Sequence, residues 1–105
     1  MALKRGEIKP PRLPKEAVEV ASLGGEVIVR ALTLTERLAL GRNDGAREAI
    51  PVALLAQCVV DETGLPLFAR DEWEAFGAAH IDDAMRLVAV AMRLSGLDGD
   101  DAKNG

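Results

Sequence analysis

The sequence predicts an α+β fold, an N-terminal β-hairpin packed against three to four α-helices, with flexible tails at both ends. Three observations lead there. Two alternating apolar segments flank Gly24-Gly25, and Thr33-Leu34-Thr35-Glu36 has the form of a helix capping box. From Ile50 to Val60, and again from Asp82 to Ser95, apolar residues recur at helical density. Alternation marks strands, and the other two patterns mark helices.

The hairpin comes first, with strands over Lys15 to Leu23 and Glu26 to Leu32. Gly24-Gly25 suits a two-residue primed turn, because both of its central positions need positive φ. Such a turn sets Val20 opposite Val29 and Val18 opposite Ala31 on one face. Glu19 then stands opposite Arg30 on the other face. One surface is apolar and the second carries an opposite-charge pair, as a half-buried sheet requires.

A helix follows Thr33 and runs to about Arg42, stopped by Gly41 and Asn43-Asp44-Gly45. A second covers about Glu48 to Val60, with Pro51 in its first turn, where a missing N–H removes no helical bond. Only Gln57 is polar between Ile50 and Val60, so this helix should be buried on more than one side. Asp61-Glu62-Thr63-Gly64 reads as a turn, and Leu65-Pro66-Leu67-Phe68 as a short extended return to the core. Asp71 with Glu74 reads as a second capping box opening a short helix through Trp73 and Phe76. The last helix spans about Asp82 to Ser95. Its acidic residues sit at the positive end of the helix dipole, and Gly96 is its stop.

At 105 residues the chain has room for one core, placed in a single domain over residues 15–97. Aromatic residues make up only 3%, which predicts an aliphatic core. Residues 1–14 form a basic tail held extended by Pro10, Pro11 and Pro14, and residues 98–105 an acidic one loosened by Gly99 and Gly105. A net charge of −4 disfavours a general nucleic-acid binder, whose affinity comes from neutralising phosphates. The first fifteen residues carry five basic groups with no apolar stretch behind them, so no secretory leader is expected. The longest nearly apolar run is too short to cross a bilayer. One cysteine, Cys58, allows no internal disulfide and suits a reducing compartment, the cytoplasm.

No residue pattern points to covalent chemistry. His80 is the sole histidine and Cys58 the sole thiol, too small a supply for a triad or a zinc site. Cys58 lies among Leu54, Leu55, Val59 and Val60 and reads as a small buried hydrophobe. Gly24-Gly25 is followed by a strand rather than a helix and a lysine, which removes the phosphate-loop reading. Asp98-Gly99-Asp100-Asp101 lacks the closing glutamate of a calcium loop. We expect no catalytic, cofactor or metal site and no enzyme activity.

The last helix is where a function is expected. At about 100° per residue, Arg86 and Arg93 share a stripe with Asp82, Leu87 and Leu94 form a second, and Met85 and Met92 a third. Ala84, Val88 and Ala91 lie between the last two. The apolar arc spans roughly 180°, wider than the ~100° of a surface helix. One flank can face the core; the other is expected to face a partner or a second subunit, unless the helix is simply central. The candidate partner-binding residues are Met85, Val88 and Met92, with Arg86 and Arg93 at the rim. Methionine thioethers adapt well to irregular apolar surfaces.

The order of motifs carries a resemblance. The hairpin ends in Val27-x-Val29-Arg30-x-Leu32-Thr33-x-x-Glu36. A helical segment leads to Cys58-Val59-Val60-Asp61-Glu62-x-Gly64-x-Pro66-Leu67-Phe68, and the final helix ends in Leu94-Ser95-Gly96-Leu97. Over about residues 15–97 this resembles the tail assembly chaperones of long-tailed bacteriophages and prophages. The resemblance implies a non-enzymatic, cytoplasmic protein that binds the long helical tape measure protein and assists polymerisation of the tail tube around it. It implies self-association in many members and absence from the finished particle. Two other readings stay open: a structural head–tail or tail completion protein, and a small DNA-binding regulator using the basic arm.

Overall fold

Alternating apolar residues build the first layer. In the computed structural model, which describes residues 2–7, 12–41 and 50–97, β1 (Lys15–Val20) pairs antiparallel with β2 (Gly25–Arg30). Val18, Val20, Val27 and Val29 all face inward and are buried. The hairpin and its inner face are therefore as expected, but the register is not. Val20 lies opposite Gly25 rather than Val29, Val18 opposite Val27, and Glu19 opposite Glu26. The cause is the turn. Ala21–Leu23 form a 3-10 turn closed by Gly24 at φ 86°, and Gly25 already belongs to β2. This longer connection folds Leu23 against the core and lets the Ser22 hydroxyl donate to Asp83, contacts that strand alternation does not reveal. The partner of Val20 moves by four positions, an even shift, so each side chain keeps its face.

Arg30, freed from Glu19, instead bonds Glu36 in fork geometry, at 2.8 and 3.0 Å. Glu36 is also half of the expected capping box: the Thr33 N–H donates to its carboxylate at 2.9 Å, and its own N–H donates to the Thr33 hydroxyl at 3.1 Å. One carboxylate thus starts helix α1 (Leu34–Gly41) and fastens it to the sheet. The Arg30 hydrogen bonds, followed by those from Thr33, hold Glu36 well below the usual carboxylate range, at about 2.

Helix α2 (Ile50–Cys58) exposes none of its residues, as its nearly uniform apolar sequence requires. It ends two residues earlier than expected. Val59–Val60 are strand β3, pairing antiparallel with β2 to give the sheet order β1-β2-β3. A β-branched pair beside the open edge of β2 gains ladder bonds that a further half turn of helix would forgo. The Asp61 carboxylate then accepts from the N–H groups of Thr63 and Leu65, and the chain doubles back so that Pro66 bridges Val60.

Helix α3 (Arg70–Ala79) begins one residue before the expected box. Glu72, not Glu74, supplies the cap, accepting from the Ala69 N–H at 2.8 Å, while Asp71 and Glu74 are exposed. The aliphatic core has an aromatic margin here. Trp73 is 1% exposed and meets Phe68 and Phe76 edge-on, with centroids 4.9 and 5.4 Å apart. Helix α4 (Ile81–Leu94) packs against α2, α3, β1 and β2, burying Ala84, Leu87, Val88 and Ala91. Gly96 ends it at φ 73°, with the Leu97 N–H reaching back to the Met92 carbonyl at 2.8 Å. Between them, the buried Ser95 hydroxyl accepts from the Leu32 N–H at 2.9 Å, joining the end of α4 to the exit of the hairpin.

The Asn43-Asp44-Gly45 turn, the start of the second helix at Glu48 and the acidic tail over 98–105 lie outside the described residues. In the N-terminal region, Arg5–Glu7 form a single 3-10 turn.

Two predictions follow from these junctions. Because the Glu36 carboxyl is held down from 4.5 to about 2 in the fold, its contribution is full above pH ~4.5 and is lost as pH falls towards ~2. Glu36→Gln should cost about 1 kcal/mol at pH 7, and the gap to the parent should close at pH ~2, as read by urea denaturation. Ser95→Ala leaves the buried Leu32 N–H without its acceptor and should cost roughly 1–3 kcal/mol in the same assay.

Candidate protein-binding surface

Helix α4 carries every residue singled out for partner binding, and the fold sends them to different places. Met85 is 47% exposed. Val88, one turn on, is buried beneath it, and Met92 is half-buried against the core. The two arginines turn towards the hairpin. Arg86 Nη2 donates to the Glu19 carbonyl at 2.7 Å and lies 3.5 Å from Asp83, while Arg93 Nη2 bonds Glu16 at 2.8 Å. Both therefore tie α4 to β1. The wide apolar arc divides accordingly. The flank centred on Ala84, Leu87, Val88 and Ala91 is core, and Ile81, Met85 and Ala89 remain outside it.

Ile81 and Met85 border a cleft. Its three walls come from α2 (Pro51, Val52, Leu55), α3 (Trp73, Glu74, Gly77, Ala78) and α4 (Ile81, Ala84, Met85, Val88), enclosing about 280 Å³. Its lining residues fall at i, i+3, i+4 and i+7 on α4 and at i, i+1, i+4 and i+5 on α3, so it follows the seam where the helices meet. Small side chains form much of the wall. A Cβ added at Gly77 would lie 3.8 Å from that of Ala84, ordinary contact distance. The Trp73 indole N–H finds no acceptor among the described residues, although the ring is buried.

A second, wider depression of about 760 Å³ lies at the other end of α4, lined by Leu34, Arg37, Leu38, Leu40, Ile50, Met92 and Leu97. Leu34 and Leu38 are 74% and 53% exposed. Sequence reasoning passed over them and over Ile81. The signal was present in Leu34 and Leu38, four residues apart on a helix whose polar anchor, Glu36, points elsewhere.

The reactive side chains stand apart from both depressions. Cys58 is completely buried, and burial pushes its thiol up to about 11, so it stays protonated. His80 is exposed at the corner between α3 and α4, its ring 5.2 Å from that of Phe76. Among the described residues no three His, Cys, Asp or Glu side chains gather as a metal site would need, and no helix is long and apolar enough to cross a membrane. What the surface offers is apolar shape with few polar groups, the chemistry of non-covalent binding.

No family model and no curated protein matches the chain in sequence. Among solved structures it is similar to the tail assembly chaperone of bacteriophage HK97, with a TM-score of 0.61 and 22% identity, over 85% of this chain and 88% of that one. The likeness covers most of both chains and shows a common fold.

Proposed function

We propose that this protein is a tail assembly chaperone that binds the tape measure protein in the host cytoplasm, assists tail tube polymerisation around it, and is absent from the finished particle. The observation that carries the reading is the fold likeness to the HK97 chaperone along nearly the whole of both chains. The surface supports it. A client that is a long helical protein exposes apolar stripes before the tube covers them, and an apolar seam between helices is the complementary shape. Met85 and Met92 are the side chains proposed to touch the client, with Val88 as the floor beneath Met85. Arg86 and Arg93 stand on the hairpin side of the same helix. The role is non-enzymatic: shielding apolar surface requires no bond to be made or broken.

Co-expression with the cognate tape measure protein tests the proposal. The two should co-purify, and the client should be soluble only in company. Burying the exposed half of Met85 is worth about 1 kcal/mol, and a carboxylate in its place adds a desolvation cost. Met85→Asp should therefore weaken the complex at least about tenfold with an unchanged far-UV spectrum. A client that is equally soluble alone and never co-purifies, or abundant copies of this chain in purified particles, would rule the reading out.

A further inference from the structure

We infer that the cleft between α2, α3 and α4 receives an amphipathic helix whose apolar stripe is flanked by lysine or arginine. This rests on the protein-binding reading above and names the chemistry of the partner. Charge separates this cleft from the other depressions. Glu74 is the one charged side chain in its lining, whereas Arg37 lines the depression beside α1, and a third, behind the sheet, mixes Arg12, Lys15 and Arg30 with Asp61 and Glu62. Asp82 extends the acidic character. It is exposed in the first turn of α4, one residue after Ile81 and three before Met85, both of which line the cleft.

Shape agrees with charge. At about 280 Å³ the cleft falls below the roughly 300–1,000 Å³ of small-molecule sites, yet it is open along a helical seam. Gly77, Ala78 and Ala84 keep the floor shallow enough for a helix to approach closely, while Ile81 and Met85 supply exposed apolar contact at the mouth. An occupant with basic flanks would pair with Glu74 and Asp82 as its apolar residues enter. A second copy of this chain, with its own acidic mouth and a formal charge of −4, would bring like charges together in a two-fold contact.

The test uses fluorescent peptides of about 18 residues, roughly 27 Å of helix, tiling the long helical client, titrated with the full chain. Peptides whose apolar stripe has basic flanks should bind, and their affinity should fall as salt rises from about 50 to about 500 mM. The paired neutralisation Glu74→Gln with Asp82→Asn should weaken them about fivefold and flatten the salt dependence. Ala78→Phe, which fills the cleft from an exposed position, should weaken them at least about tenfold. If Ala78→Phe alters the melting temperature, the neutralised variant decides. Binding by peptides without basic flanks, or affinities unmoved by the neutralised pair, overturns the inference while co-purification of the client leaves the functional reading intact. A client that fails to associate at all brings down both.

Discussion

Helix α4 must satisfy two surfaces at once, and the rest of the molecule takes its place around that requirement. On one side it meets the inner face of the hairpin, where Val20 and Val29 are fully buried; on others it meets α2 and α3. Small residues at Ala84 and Ala91 let neighbours come close, and Leu87 fills the space between. With only three aromatic residues in the chain, this contact is mainly aliphatic. Removing α4 would uncover the side of the hairpin it packs on and one side of both α2 and α3.

Polar contacts then decide orientation rather than bulk stability. Arg86 and Arg93, one heptad apart, reach the Glu19 carbonyl and the Glu16 carboxylate, fixing the rotation of α4 over β1. Ser95 fixes its far end to Leu32, and Arg30 with Glu36 fixes α1 to β2. The two exposed arginine contacts contribute little energy individually, but they select among the rotations that a smooth aliphatic surface would tolerate. The rotation selected is the one that leaves Met85 outside and Val88 within.

Much of this was legible in the residues. The inward valines follow from alternation, the start of α1 from Thr33 and Glu36, the burial of α2 from its lack of polar positions, and the end of α4 from Gly96. What escaped depends on contacts between distant segments. The hairpin turn is set by Leu23 reaching the core and Ser22 reaching Asp83, sixty-one residues away. Val59-Val60 became a strand because β2 offered an open edge, a fact invisible within the window itself. The candidate surface was legible in part: the amphipathic arc of α4 gave Met85, but only packing shows that Val88 lies beneath it and that both arginines are engaged by the hairpin. Leu34 and Leu38 lie on a helix of only eight residues, too short for its own periodicity to show which face the core leaves exposed.

The bond from Arg86 to Glu19 has one more consequence. The Ala31 N–H donates to the Pro14 carbonyl, so with the antiparallel two-residue alternation the main-chain groups of residues 15, 17 and 19 point away from β2, along the sheet's outer margin. That margin is a template on which a stray extended segment could crystallise into an unwanted extra strand. A guanidinium seated on the Glu19 carbonyl at 2.7 Å occupies one of its acceptors. The same side chain that orients the helix thus guards the border of the sheet.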